Sequence, residues 1–426
     1  MARRLIISML DLVERPLGRP HWNDAVTRLH RPEQKRLEAL VLDPHDGWSA
    51  QRLDLRYPGT AEGIEYGEFI TTGVGDIDGD GRSEIVFAVT PTGAPCYVMA
   101  YRHGGGSWLP EPVYREFESV DFIRSMALGD LDGDGCDEIV IGTRPDGATV
   151  LLDRRSSRYV AEVIDAKPQG AGISNVREVT IGDIGSGRPD VFTASARSNT
   201  RPKWDKTPAL KWDSVPGHIL RHHQVNERWE RTVIEDHGEI THTRVLRVGE
   251  LAGARRVVSC SVGVVDSKRQ RIDPEPVLRM HTLGADGTVT SETTIGVLEK
   301  AIMCRSMAIG DIDGDGENEL VVGTRSLAIG DHGKTFLYAY KYDTANAAWT
   351  RTIIDTSEPL GFRSLILADL DGDGRLAVIA SDDGKGLIKA YCFRNREWHP
   401  EIILSRPNFI FCTAMAMVDT SEAPHL

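Results

Sequence analysis

Asp76-Ile77-Asp78-Gly79-Asp80-Gly81 recurs as Asp130-Leu131-Asp132-Gly133-Asp134-Gly135, as Asp311-Ile312-Asp313-Gly314-Asp315-Gly316 and as Asp369-Leu370-Asp371-Gly372-Asp373-Gly374. Alternate carboxylates on a glycine-turned loop are what calcium requires, a hard cation that takes six to eight oxygens at roughly 2.3–2.6 Å. In the first copy Asp76, Asp78 and Asp80 supply side-chain oxygens, the Arg82 carbonyl adds a ligand, and Glu84 closes the shell at position nine. The second copy offers Asp130, Asp132, Asp134, the Cys136 carbonyl and Glu138; the third offers Asp311, Asp313, Asp315, the Glu317 carbonyl and Glu319. The fourth has Asp369, Asp371 and Asp373 but Ala377 at position nine, so its shell is incomplete. An EF-hand would place its closing Glu at position twelve, between two helices. Here Ile85-Val86-Phe87, Ile139-Val140-Ile141 and Leu320-Val321-Val322 follow, which read as strands. A solvated Asp/Gly turn without an ion is the alternative reading of the same loops.

Each loop sits inside a longer unit of four strands, and degenerate copies fill the series. Gly182-Asp183-Ile184-Gly185 keeps one acid, while Gly249-Glu250 ahead of Arg256-Val257-Val258 has lost the rest. Anchors therefore stand at 76, 130, 183, 250, 311 and 369, and a seventh falls at Met415–Asp419. Four-stranded units repeated radially predict an all-β propeller. The seventh unit lacks its later strands, and the N-terminal stretch supplies them: Arg4–Met9 reads like Glu319–Thr324, and Leu37–Leu55 reads like Phe336–Ile354. The expectation is one seven-bladed domain over 1–426, with blade seven shared by about 1–57 and 408–426, which removes open sheet edges. Three insertions, about 11–35, 198–217 and 264–276, overhang one face.

The repeated loop and its flanking strands resemble the FG-GAP/VCBS repeat family, as in the propeller of integrin α-chains and in related lectins. The resemblance spans nearly the whole chain and implies a calcium-stabilised propeller, but says little about function, since the fold hosts many.

Bulk properties narrow the field. A net charge of −13 excludes a general nucleic-acid binder. No stretch is long enough to cross a membrane, and Asp11 interrupts the short apolar N-terminal run, so the chain reads as cytoplasmic. The six cysteines show no paired spacing and read as free thiols.

In a propeller the innermost strand starts at one mouth of the central channel, and the acid loop lies at the other. Six residues before the anchors, at the near mouth, stand Arg124, Arg177, Arg244, Arg305 and Arg363, with Ile70 and Thr413 in the remaining two blades. Arg144 and Arg325 recur after the second strand. Phe122 and Phe362 accompany them, as do Phe69, Met303 and Phe411, and Trp204 and Trp212 lie in the longest insertion. Guanidinium forks match phosphate and carboxylate geometry, so this mouth predicts an anionic small-molecule ligand. The architectural alternative has each Arg bridging to a carboxylate of the next blade. His242, Glu178 and Asp121 are the acid–base candidates, with Glu68 and Glu239 behind them, and His218 with His222 has a spacing that suits a transition metal. Nucleophile elbows, phosphate loops and dinucleotide fingerprints are all missing from the sequence. The reading is a lyase, cyclase or isomerase acting on a phosphorylated, diphosphorylated or carboxylated compound, with a divalent metal accompanying that substrate left open. A carbohydrate-binding lectin and a protein-interaction platform are the competing readings.

Overall fold

The computed structural model describes residues 3–12, 35–58, 67–91, 94–117, 120, 122–144, 147–166, 174–197, 217–237, 242–266, 271–284, 286–299, 302–326, 333–357, 360–406 and 409–420. Seven four-stranded antiparallel sheets form the blades of a ring. Their innermost strands are Gly67–Gly75 (blade 1), Phe122–Gly129 (blade 2), Ser174–Gly182 (blade 3), His242–Leu251 (blade 4), Ile302–Gly310 (blade 5), Leu365–Ala368 (blade 6) and Phe409–Asp419 (blade 7).

Burial explains the two kinds of strand pattern. The second strands are sandwiched between neighbouring blades, so Glu84–Pro91 is buried at every position and Glu319–Ser326 at all but one. Such strands read as unbroken apolar runs. The outermost strands, such as Arg228–Asp236, face water on one side and are mostly exposed. In blades 1, 2, 3 and 6 the third and fourth strands are joined by two-residue turns with both residues at positive φ, as at Asn226 (49°) and Glu227 (62°), the geometry that matches strand twist.

Among the described residues no apolar cluster fills the ring's centre. The large clusters instead form layers between consecutive blades: Phe192 and Ile219 of blade 3 meet Leu246 and Val257 of blade 4, and Val258 of blade 4 meets Met307 and Val322 of blade 5. The same arrangement closes the circle, since Ile6 and Val418 pack on Phe87 of blade 1 while Leu5 and Ile7 pack on Ile379 of blade 6.

Blade 7 is built from both ends of the chain. Arg3–Leu12 pairs with Lys35–Asp43 on one edge and with Phe409–Asp419 on the other, in the register Leu5↔Met417 and Ile7↔Met415. The pairing Leu12↔Lys35 narrows the first insertion to residues between those two. Residues 13–34 and 198–216 lie outside the described residues. The third insertion contains a small hairpin, Val264–Asp266 against Arg271–Asp273. No helix among the described residues is long and apolar enough to cross a membrane. All six cysteines are free, and Cys96, Cys260, Cys304 and Cys412 are buried.

Close blade packing leaves some positions room for glycine alone. A Cβ on Gly323 would lie 2.5 Å from the Phe362 carbonyl oxygen of the next blade. We expect Gly323→Ala to destabilise the chain by about 1–3 kcal/mol, read as a lowered midpoint in urea. An unchanged midpoint would show that the inter-blade spacing yields easily there.

Candidate functional site

The arginines reach the channel because the inner strands are irregular at those positions. In blade 2 Ile123 pairs with Thr143 and Ser125 with Gly142, leaving Arg124 without a ladder partner. Arg177, Arg244 and Arg305 are skipped in the same way in blades 3, 4 and 5, and Thr413 in blade 7. These are β-bulges, which re-aim one side chain and bend the strand. In blade 1 the extra residue is Glu68, so Ile70 regains the ladder and is buried in the core. Arg363 precedes its strand, flanked by the Phe362 amide, which donates to the Thr324 carbonyl at 2.9 Å.

The five guanidinium side chains converge on one cavity of about 400 Å³ in the channel mouth, which Phe69, Thr71, Glu178, Thr413 and Met415 also line. None of the five has a carboxylate oxygen within 4.0 Å among the described residues. The inter-blade bridges of the architectural reading are therefore not formed by them. Two instead lie on aromatic faces, Arg124 over Phe69 at 4.9 Å and Arg363 over Phe411 at 4.5 Å. Burial, followed by repulsion from Arg177 and Arg363, pushes Arg124 down to about 9. Arg177 is pushed down to about 10 by burial and by Arg144, while burial and the neighbouring arginines hold Arg244 and Arg305 well below the ordinary guanidinium value. All five keep partial contact with solvent along the channel, so water screens part of this repulsion.

Arg144 and Arg325 stand at the same mouth. Arg144 lies 5.8 Å from the centre of the Phe122 ring, and burial with repulsion from Arg363 pushes Arg325 down to about 10. Phe362 departs from the expectation. It immediately precedes its arginine, as the fully buried Ile123 and Cys304 do, and it is 0% exposed between blades 5 and 6. Asp121, Trp204 and Trp212 lie outside the described residues, as does Glu239, and of His242 only the backbone, paired with Val262, is described. His222 is buried against Thr193 Oγ1 at 2.9 Å and pushed down to about 4 by burial, so it is a neutral core histidine. His218 lies 3.7 Å from Asp236, and neither histidine belongs to a metal-ligating cluster among the described residues.

Two groups at this mouth escape a reading by repeat. Arg247, three residues beyond Arg244, pairs with Glu178 at 2.5 Å and donates from Nε to the Met307 carbonyl at 2.8 Å. That ion pair fixes the candidate acid–base carboxylate in the channel wall. Asp383 occupies in blade 6 the register that Arg144 and Arg325 hold in blades 2 and 5. It is 3% exposed, and its Oδ2 has no hydrogen-bond partner among the described residues. The only signal for it was an acid where two other blades carry Arg144 and Arg325.

The acid loops lie at the other end of the inner strands, about 20 Å from the arginines at six residues of strand rise. Gly79 and Gly81, at φ 74° and 82°, turn the first loop so that both amides donate to Asp76, at 2.7 and 2.8 Å. The amides of Arg82, Cys136 and Glu317 donate to Asp80, Asp134 and Asp315 at 2.9, 2.7 and 3.0 Å. Oxygens of Asp76, Asp78 and Glu84 converge within 4.8 Å, as do those of Asp130, Asp132 and Glu138, of Asp311, Asp313 and Asp315, and of Asp369, Asp371 and Asp373. Glu84 is 0% exposed, and its Oε1 receives no hydrogen bond among the described residues. Burial and the charge of Asp78 push Glu84 up to about 8, and burial pushes Glu138 up to about 7. A hard divalent cation suits these two donor sets. The fourth loop is already braced by protein cations, with Arg3 on Asp369 at 3.2 Å and Arg394 on Asp371 at 2.8 Å.

Burial raises Asp383 to about 7 from an ordinary 3.8, against the pull of Arg363 and Arg305; Arg325 and Cys412 also face it. Between those values the folded chain keeps a proton that the unfolded chain has lost. This group's contribution therefore makes folding less favourable as pH rises from about 4 to about 7. We expect Asp383→Asn to gain stability relative to the parent over that range, seen as a urea-midpoint difference that grows with pH. A difference independent of pH would mean that Asp383 is ionised throughout.

Residues 76–141 match the FG-GAP-like repeat family. No curated protein matches the sequence. Among solved structures, a protein from Lactobacillus plantarum is 9% identical with a TM-score of 0.50, over 98% of this chain and 100% of that one. A putative 6-phosphogluconolactonase from Bacteroides fragilis is 8% identical with a TM-score of 0.50, over 98% of each chain. The periplasmic gluconolactonase of Pseudomonas aeruginosa is 11% identical with a TM-score of 0.48, over 97% of this chain and 99% of that one. At these identities the likeness concerns the fold alone. The chain is a seven-bladed β-propeller that carries an FG-GAP-like repeat over residues 76–141.

Proposed function

We propose that the protein binds a multiply charged small anion in the arginine-lined mouth and acts on it as a lyase, cyclase or isomerase. The observation that carries this reading is the convergence of Arg124, Arg177, Arg244, Arg305 and Arg363 on one cavity with no carboxylate partner among the described residues. Cations gathered in a walled cleft repel one another, and an anion among them turns that repulsion into charge-assisted hydrogen bonds. Five consecutive blades, 2 to 6, carry the charges, while blades 7 and 1 present Thr413, Met415, Phe69 and Thr71. A ligand with a phosphate or diphosphate head and a less polar remainder suits that asymmetry.

The chemistry open to such a site is stabilisation of developing negative charge by fixed guanidinium groups, with Glu178 as the carboxylate placed to move a proton. Arg247 holds Glu178 in position for it. Calcium in the loops of blades 1 and 2 would stiffen the opposite face and take no part in the reaction. The name of the Bacteroides fragilis neighbour adds phosphorylated lactones to the compounds worth testing.

Titration calorimetry with pyrophosphate in the presence of calcium tests the reading. One site per chain is expected, and Arg124→Ala or Arg305→Ala should each weaken binding about 10- to 100-fold, from about 1.5–3 kcal/mol per charged hydrogen bond. Both variants should melt in calcium close to the parent. Unchanged affinity would remove the anion site, and collapse of the fold in both variants would make the ring architectural.

Saturating calcium should also raise the melting temperature of the parent, and Glu84→Gln, which removes a charged ligand, should reduce that rise. An equal rise in the variant would place the stabilising ion elsewhere.

A further inference from the structure

One cross-strand position decides what each acid loop meets. Ile85 pairs with Tyr101, so Arg102 stands across from Glu84; Ile139 pairs with Leu152, so Asp153 stands across from Glu138. Leu320 pairs with Tyr340, which sets Lys341 across from Glu319. The three loops are alike in sequence, but the third strand offers them a guanidinium, a carboxylate and an ammonium.

In blade 5 the ammonium lies among three of the loop's carboxylates. Lys341 Nζ lies 2.5 Å from Asp313 Oδ2, 2.7 Å from Asp315 Oδ2 and 3.0 Å from Glu319 Oε1. Its hydrogen bonds go to the two aspartates, and the glutamate oxygen is held as an ion pair. An ammonium has three donors and no acceptor; two go to the aspartates, and the third side of the ammonium faces Glu319 Oε1, an ion pair at 3.0 Å that is not a hydrogen bond. Those carboxylates are the ones that the loop would otherwise direct at a metal.

Blade 1 shows what a nearby cation does when it stays outside. Arg102 bonds Asp78 at 2.6 Å and is drawn off by Glu111 at 2.8 Å, with Nε still 4.0 Å from Glu84. Glu84 Oε1, like Glu319 Oε1, accepts no hydrogen bond among the described residues, but its nearest side-chain cation there stays at 4.0 Å, against 3.0 Å for Glu319. In blade 2 no Lys or Arg lies within 4.0 Å of Asp130, Asp132, Asp134 or Glu138 among the described residues, and the facing Asp153 is taken by Arg155 at 2.7 Å.

We infer that the blade 5 loop, Asp311 to Glu319, is closed by the protein's own Lys341 ammonium and takes no calcium while that side chain is present. This rests on the reading of the sister loops as calcium sites. Calcium at blade 5 must first expel an ammonium from three carboxylates, and the ammonium cannot diffuse away. A tethered competitor acts at an effective concentration of the order of millimolar. The loop is thereby held in its closed form whatever the metal supply, while its sisters depend on it.

Counting bound calcium on the full chain by equilibrium dialysis tests this. Lys341→Met keeps the length and apolar stem but removes the charge, and it should bind one more calcium per chain than the parent. Metal-free, that variant should melt below the parent, and saturating calcium should close the gap. Asp313→Asn in the parent background is the second arm and should leave the calcium count unchanged, because the loop it alters holds none. Equal, non-zero counts for Lys341→Met and the parent would overturn this inference and leave the calcium reading of the other loops standing. Zero for both would overturn the two together. A count that drops by one in Asp313→Asn would show metal at blade 5 and overturn the inference even if Lys341→Met failed to fold.

Discussion

Each blade has two apolar faces and can bury them only against its neighbours. Phe87 needs Ile6 and Val418 on one side of its blade, while Val86 and Ala88 need Ile123 and Ile139 on the other. A fully buried side chain of that size contributes about 1.5–3 kcal/mol, so an open ring would expose two full layers. Closure is therefore the condition for every other blade. The chain meets it by placing Arg3–Leu12 in the same sheet as Phe409–Asp419, covering the two free faces with strands from its opposite ends.

Closing the ring leaves a hollow axis, and this is where the polar groups can be gathered without interrupting an apolar layer. The near end of the axis is basic and the far rim acidic, separated by the length of the inner strand. Neither end is neutralised in the same manner throughout. Arg247 answers Glu178, Arg394 answers Asp371 and Lys341 answers the blade 5 loop, whereas the ring of five arginines has no such partner among the described residues. The pairs on the far rim brace the scaffold, whereas Arg247 positions Glu178 in the channel wall. The unsatisfied charges mark where an outside ion or molecule has something to gain by binding.

The blade count and the split blade were legible because the loop motif is long, repeats in register, and falls between runs that can only be strands. The arginine series was legible for the same reason, as a position counted back from each anchor. What turns it into one cavity was not: the bulges at Arg124, Arg177, Arg244 and Arg305 are a matter of ladder register, which depends on two strands at once. Counting along one strand also misassigned Phe362 to the mouth, since its amide bonds the Thr324 carbonyl of blade 5 and its ring enters the layer between blades 5 and 6. Arg247, Asp383 and Lys341 are each peculiar to one blade, so a search for repetition passes over them. Lys341 in particular is a cross-strand neighbour of Glu319, more than twenty residues away in sequence. The same concerns of register explain why His218 and His222, four apart on one strand, meet different partners.

The bulge residue has no ladder partner in its sheet and belongs to none of the buried apolar layers, its side chain finding other company, Arg124 on the Phe69 ring and Thr413 on the Ser8 carbonyl. Whatever side chain stands there, the ladder on either side is already complete. Thr413 shows as much, occupying in blade 7 the place that an arginine holds in blade 3. Six such bulge positions, with Arg363 just ahead of its strand in blade 6, form a palette around the axis that natural selection could repaint one colour at a time. A propeller of this construction could change what it recognises while its frame stayed as it was.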